Sequence, residues 1–101
     1  MNRIGQVLLG LVLLAAAGCI TVGRDFSSEM AKKVVNRTTT REQILATFGE
    51  PYQKGVDNGK EAWTYYKVKY RGSSAVKSKE LYVIFDAAGV VDSHSFNETA
   101  P

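Results

Sequence analysis

Cys19 is the residue best placed for chemistry, because its thiol is the only one in this chain of 101 residues. A single Cys cannot form a disulfide within the chain or supply a Cys-based zinc cluster. The single His, His94, excludes a site with several His ligands and leaves little for acid–base catalysis. The residues before Cys19 indicate a covalent modification of its sulfur.

The residues that precede Cys19 have the pattern of a secretory signal peptide. Residues 1–3 include the positively charged Arg3, residues 4–14 are mostly apolar, and residues 15–18 are small. The apolar run is too short to span a membrane, which takes about 20 residues. The sequence therefore predicts a signal peptide over residues 1–18, with cleavage before Cys19.

The segment Ala16-Ala17-Gly18-Cys19 resembles a bacterial lipobox, with Ala16 where Leu is usual. Lipoprotein processing would attach a diacylglycerol to the Cys19 sulfur and an acyl chain such as palmitate to its amine, and several chains together anchor a protein stably. Ile20 follows, and in bacteria whose sorting rule is known an Asp there retains the protein in the inner membrane. We therefore expect an anchor in outer-membrane lipids, facing the periplasm. The other interpretation is a plain secretory signal with a chance Cys near the cleavage site.

Catalytic and metal-binding patterns are missing from the rest of the sequence. No Ser lies in a nucleophile elbow, no glycine-rich phosphate loop is present, and no carboxylate pair is placed for hydrolysis. Asp86 is expected to accept backbone hydrogen bonds in a turn, and His94 to be a surface or edge residue. The net charge of +3 is low for a nucleic-acid-binding protein. We expect no enzymatic activity, no metal, no cofactor beyond the acyl groups on Cys19, and no nucleic-acid partner.

Two elements are predicted to precede a sheet. Residues 26–35 favour a helix capped by Ser27 or Ser28, and residues 41–48 a clearer one. Thr40 and Gln43 match a capping box, Gly49 suits the C-terminal end, and Pro51 prevents continuation. Residues 19–27 are interpreted as the lipidated Cys and a short tether, residues 28–97 as the folded domain, and residues 98–101 as a C-terminal tail.

After Pro51 the hydrophobic period changes from about 3.6 to 2. Residues 52–60 are interpreted as a polar loop with a turn at Asp57-Asn58-Gly59, and residues 72–78 as a flexible connection. Strands are predicted over residues 61–71, 80–85 and 90–96. The short links predict an antiparallel meander, with Gly89 in a turn and Trp63 and Phe85 among the structural residues. The expected fold class is α+β, two short helices followed by a three-stranded sheet, with the helices packed on one sheet face.

Basic and aromatic residues concentrate on the first predicted hairpin. The basic set is Lys60, Lys67, Lys69, Arg71, Lys77 and Lys79. Strand alternation places Lys67, Lys69 and Arg71 on one face, and Tyr66 and Tyr70 on the other. The basic residues could be a solvated strand face that blunts an edge, or a patch for anionic lipid headgroups or an acidic partner. A sheet covered on one side leaves some Tyr residues exposed, which suits a protein interface. The candidate interaction residues are Tyr66, Tyr70, Lys67, Lys69 and Arg71.

The order of these signals resembles the SmpA/OmlA family, the BamE-type domain of bacterial outer-membrane lipoproteins. The segments that carry the resemblance are residues 39–45, Phe48-Gly49-Glu50-Pro51, Trp63-Thr64-Tyr65, residues 81–86 and residues 89–91. The resemblance covers residues 36–96. It implies a BamE-like fold and a non-catalytic accessory role in outer-membrane protein assembly, with the barrel-assembly machinery as a candidate partner.

Two functions follow from these observations. The favoured one is a protein-interaction or assembly-accessory lipoprotein of the cell envelope. The alternative is a lipoprotein that binds anionic lipid or cell wall through the basic hairpin, residues 60–79.

Overall fold

The computed structural model describes residues 18–99. The predicted signal peptide, apart from Gly18, lies outside the described residues, as do residues 100–101 of the predicted tail. Two helices and five strands occur within residues 18–99. In chain order they are β1 (Cys19–Gly23), α1 (Ser28–Ala31), α2 (Arg41–Phe48), β2 (Gln53–Asp57), β3 (Lys60–Arg71), β4 (Ser74–Phe85) and β5 (Val91–Thr99).

All five strands form one antiparallel sheet built around β3. On one side β3 pairs with β4, which pairs in turn with β5. On its other side β3 pairs with two short strands: β2 lies against residues 60–64 and β1 against residues 67–71. The α+β class with two short helices and an antiparallel sheet is confirmed, but the predicted number of three strands is wrong.

The extra strands form where the sequence carries little strand signal. β2 contains Gly55 and is exposed along most of its length, so it owes its conformation to backbone pairing with β3. Asn58 and Gly59 both have positive φ, of 51° and 81°, which suits a tight two-residue hairpin turn. The turn is confirmed, whereas the polar loop predicted over residues 52–60 is mostly strand. The segment interpreted as a tether, residues 19–27, contains β1.

The β3–β4 hairpin is longer than its hydrophobic pattern predicts. β4 begins at Ser74 rather than at residue 80, so the connection predicted over residues 72–78 is mostly strand. Backbone pairing continues to Arg71 and Ser74 although the side chains there are exposed. Hydrogen bonds along the ladder therefore extend the hairpin beyond its buried part. β5 likewise runs to Thr99, into the residues interpreted as tail.

The two helices differ in how well the sequence predicts them. In α2 the capping box is present: the Thr40 hydroxyl accepts from the backbone N–H of Gln43, and the Gln43 side chain accepts from that of Thr40. At its other end Gly49, with φ 77°, donates its N–H to the Leu45 carbonyl. α1 is capped by Ser27 as expected but has only 4 residues, because the chain tightens to i→i+3 bonds after Ala31.

One hydrophobic cluster forms the core. It contains Ala31 of α1 and Ile44 of α2 together with side chains of the sheet. The sheet members are Trp63, Tyr65, Leu81, Val83, Phe85 and Val91. Phe26 and Val34, next to α1, complete the buried set. We call the sheet face that carries Trp63 and Tyr65 the core face, and the opposite one the outer face.

Hydrogen bonds hold the turn between β4 and β5. The Asp86 carboxylate accepts from the backbone N–H groups of Ala88 and Val90, at 2.9 and 3.0 Å. The interpretation of Asp86 as a turn acceptor is confirmed. The backbone N–H of Arg41 donates to the Gly89 carbonyl at 2.8 Å and thereby ties the start of α2 to this turn.

Candidate interaction surface

A groove crosses the outer face of the sheet. Its lining residues come from β3, β4 and β5, and its volume is about 340 Å³. The lining residues are Tyr66, Val68, Tyr70, Ala75, Ser78, Lys79, Glu80, Asn97 and Thr99. Tyr66 and Tyr70 are half-buried, whereas Val68 between them is only 4% exposed. The two predicted Tyr residues therefore lie together in one groove with an apolar floor.

β1 extends the apolar part of this face. Antiparallel register sets Ile20 opposite Tyr70 and Val22 opposite Val68. Residues directly opposite in an antiparallel pair lie on the same face, so both side chains belong to the outer face. Ile20 is 60% exposed, which is high for a large aliphatic side chain. Sequence reasoning missed these two residues, because only the pairing of β1 with β3 places them here.

Tyr66 lies beside another aromatic side chain. Its ring lies 5.6 Å from that of Tyr52, centroid to centroid. Loss of solvation, followed by the neighbouring Tyr70 hydroxyl, raises the pKa of Tyr66. A Tyr hydroxyl is protonated at neutral pH even without these effects, so that of Tyr66 can donate a hydrogen bond to a partner. Tyr side chains of this kind contribute strongly to protein interfaces.

Lys67 serves a structural purpose that the sequence did not indicate. Its ammonium group lies 3.2 Å from the Asp25 carboxylate, and that of Lys79 lies 2.6 Å from the same carboxylate. Lys79 also donates to the Phe26 carbonyl oxygen. Bonds to Lys79 and then Lys67 lower the pKa of Asp25 to about 2. These contacts fix the chain between β1 and α1 to the β3–β4 hairpin. Asp25 carried no local signal, because its partners are far away in sequence.

Lys69, Arg71 and Lys77 lie beyond this ion-pair cluster, at the end of the hairpin. All three are exposed, and none takes part in an ion pair within residues 18–99. Lys69 and Lys77 are directly opposite each other in the β3–β4 register. We call residues 69–77 the hairpin tip.

The predicted candidate residues are thus divided between the two faces of the sheet. Tyr66 and Tyr70 line the outer-face groove, whereas Lys67, Lys69 and Arg71 occupy alternate positions that project from the opposite face. The predicted alternation is confirmed. Lys60, at the far end of β3, forms an ion pair of 2.9 Å with Asp92 and is separate from the tip. The basic and the aromatic candidate residues therefore do not form one patch.

Cys19 is exposed and stands at the tip end of the sheet. As the first residue of β1 it pairs with Arg71, the last residue of β3. Along residues 18–99 no helix has the length and apolar character needed to cross a membrane. The same part of the chain contains no group of three or more His, Cys, Asp or Glu side chains arranged to hold a metal ion.

Comparison with known proteins gives one positive result. No curated protein matches the chain. The family model of the outer membrane protein assembly factor BamE domain matches residues 26–95, which include both helices, β2 to β4 and most of β5. The chain belongs to the BamE family of outer membrane protein assembly factor domains.

Proposed function

We propose that this protein is a non-catalytic lipoprotein of the outer membrane that faces the periplasm and binds an envelope protein partner through its outer sheet face. The family supports a role in outer-membrane protein assembly. A component of the barrel-assembly machinery is the partner that this role suggests. The acyl groups on Cys19 supply the anchor, and its exposure at the start of β1 leaves the sulfur accessible for modification.

The observation that carries the interaction role is the groove between Tyr66 and Tyr70. It joins an apolar floor, Val68, to two half-buried Tyr side chains and to polar groups such as Glu80 and Asn97. An apolar centre with a polar rim is the usual composition of a protein interface. The groove is shallow and open, which fits an extended peptide or a protein surface better than a small substrate.

The experiment is affinity capture of the full-length protein from detergent-solubilised envelopes, with the captured proteins identified by mass spectrometry. Barrel-assembly components should be captured by the wild type and lost with the double variant Tyr66→Ala, Tyr70→Ala. A matched control, Leu45→Ala with Val56→Ala, removes exposed apolar side chains outside the groove and should capture normally. Equal capture by the Tyr variant, with an unchanged melting temperature, would contradict the assignment of the groove.

Cys19→Ser separates the contribution of the anchor. Wild-type protein should carry the added mass of its acyl groups and should float with membranes, whereas Cys19→Ser should do neither. If the purified wild-type protein has an unmodified Cys19, the lipoprotein assignment is wrong, whatever the groove binds.

A further inference from the structure

The predicted attachment point for lipid is part of the sheet. Cys19 pairs with Arg71, and Ile20 pairs with Tyr70, so β1 starts beside the turn of the β3–β4 hairpin. Gly72, which follows β3 directly, has φ 61° and sits in that turn. Acyl chains on Cys19 would therefore leave the protein at the same end as the hairpin tip.

The chain between Cys19 and the core is ordered by contacts with the rest of the domain. Gly23 has φ 85°, and a Cβ atom at this position would lie 1.9 Å from the Tyr66 carbonyl oxygen, so only Gly permits so close an approach. The next residue, Arg24, donates its backbone N–H to the same oxygen at 3.1 Å. Asp25 is then held by Lys67 and Lys79, and Phe26 is buried in the core. A lipid on Cys19 is thus joined to the domain through consecutive ordered contacts.

The tip end of the sheet is strongly positive. The sequence has no Asp or Glu between residues 62 and 79, and none in residues 18–24. The tip itself carries Lys69, Arg71 and Lys77, all exposed. Lys69 and Lys77 are directly opposite each other on neighbouring strands, a position in which like charges destabilise a sheet. An anionic surface against the tip would relieve this repulsion.

We propose that β1 mounts the domain on the membrane with the hairpin tip against anionic lipid headgroups, so that the acyl anchor and the basic tip form one membrane-binding site. The proposal rests on the acylation of Cys19 in the proposed function. Acyl chains and a basic patch are the usual two-part signal for stable membrane association. Each Lys or Arg close to an anionic surface strengthens binding about fivefold.

This pose, the orientation of the domain with its hairpin tip on the membrane, determines where the rest of the molecule lies. β4 has 12 residues, so it spans about 40 Å from the hairpin tip to the turn at Asp86. That turn would point away from the membrane into the periplasm. The outer-face groove, which runs beside Tyr66 and Tyr70, would face sideways, just above the headgroups, and would stay open to a membrane-bound partner.

The test measures the depth of two labels on the acylated full-length protein in vesicles. A fluorophore is attached at Ser73→Cys, in the hairpin turn, or at Ala87→Cys, in the turn at the other end of β4; both residues are exposed. The vesicles contain phosphatidylcholine with or without phosphatidylglycerol, and a headgroup nitroxide quenches the label. In anionic vesicles the Ser73 label should be quenched several-fold more than the Ala87 label.

The charge variant Lys69→Gln, Lys77→Gln should reduce the difference in quenching between the two labels. The matched control Lys32→Gln, Lys33→Gln removes the same charge from exposed residues just after α1 and should leave the difference intact. High salt should act like the tip variant, because it screens exposed charges. Gly23→Ala should also reduce the difference while it leaves every charge in place.

The outcomes separate the pose from the anchor. Acylated protein that floats with vesicles but shows equal quenching of both labels overturns the pose and leaves the lipoprotein assignment standing. A difference that is the same with and without phosphatidylglycerol overturns the role of the basic tip. Absence of the acyl mass on purified protein overturns both the anchor and the pose.

Discussion

The two ends of the β3–β4 hairpin have opposite properties. At the core end Trp63 and Phe85 are 2% and 0% exposed, and their rings meet edge to face with centroids 4.9 Å apart. Charged side chains there form ion pairs, such as the one between Arg41 and Glu61 at 2.8 Å. At the tip the same two strands carry Lys69, Arg71 and Lys77 without acidic partners in the described residues. The core end contains the buried side chains that stabilise the fold, whereas the tip carries exposed charge.

Asp25 with Lys67 and Lys79 marks the border between the two ends. On the core side of this cluster, the sheet contacts Phe26 and the helices through the hydrophobic cluster. On the tip side, the strands that pair with β3 along residues 67–71 are β1 and β4. One continuous hairpin therefore supplies both a folding core and an exposed arm, and the cluster of Asp25, Lys67 and Lys79 divides them.

The largest effect should come from the core end. Trp63→Ala should destabilise the domain by about 3–5 kcal/mol, because it removes a buried aromatic side chain and leaves a cavity. Lys69→Ala at the tip should change the free energy of unfolding by less than about 0.5 kcal/mol. Urea denaturation of the Cys19→Ser protein measures both. Comparable losses for the two variants would abolish the distinction between the ends.

Gly23→Ala should have the next largest effect, about 2 kcal/mol, because Ala is strained at φ 85° and its Cβ would meet the Tyr66 carbonyl. We expect β1 to detach, so that amide hydrogen exchange becomes faster in residues 67–71 and stays slow in residues 81–85. Gly55→Ala, where a Cβ has nothing within 4 Å, is the control and should be nearly neutral. Unchanged exchange in residues 67–71 would show that β1 tolerates the substitution.

Asp25→Asn should weaken the border cluster by about 1 kcal/mol at pH 7, a figure reduced for the exposure of the Asp25 side chain, which is 62%. The folded-state pKa of Asp25 is lowered to about 2, below its ordinary 3.8. Its contribution is therefore complete above pH 4 and disappears as the pH falls through about 2. Stability curves of wild type and variant should converge near pH 2. Glu50→Gln, which removes an exposed ion pair with Lys54, is the comparison and should shift stability by a few tenths of a kcal/mol. A constant gap between the Asp25→Asn and wild-type curves down to pH 2 would rule out the ion pairs as the cause.

The smallest effect should be a gain. Lys69→Gln with Lys77→Gln relieves like-charge repulsion across β3 and β4 and should stabilise the free protein by about 0.3 kcal/mol at low salt. High salt should remove the gain. Thermal unfolding at two ionic strengths measures it. A loss of stability at low salt would mean that the tip lysines support the fold.

The elements that could be predicted are those whose own residues show which side chains are buried and where the element begins or ends. α2 has its capping box, its Gly and its apolar stripe within a dozen residues, and β3 has the alternation of Trp63 and Tyr65 against Tyr66 and Val68. β1 and β2 carry no such pattern, because backbone pairing to the exposed edge of β3 holds them. A strand that forms because it pairs with a neighbouring strand cannot be predicted from its own residues.

The placement of the candidate residues on the two sheet faces was also predictable. The period of 2 separated Tyr66 and Tyr70 from Lys67 and Lys69, and the structure agrees. The engagement of Lys67 by Asp25 was not predictable, since 42 residues separate them and no local motif joins them. The position of Cys19 beside Arg71 likewise depends on the register of β1.

The most direct test of the proposed function is photo-crosslinking in intact cells. A photoreactive amino acid replaces Tyr70, in the outer-face groove, or Val56, which is 78% exposed on β2. We expect an adduct between position 70 and a barrel-assembly protein in the outer membrane, with none at position 56. Adducts at position 56 and none at position 70, with both proteins folded and anchored, would contradict the assignment of the outer face as the binding surface.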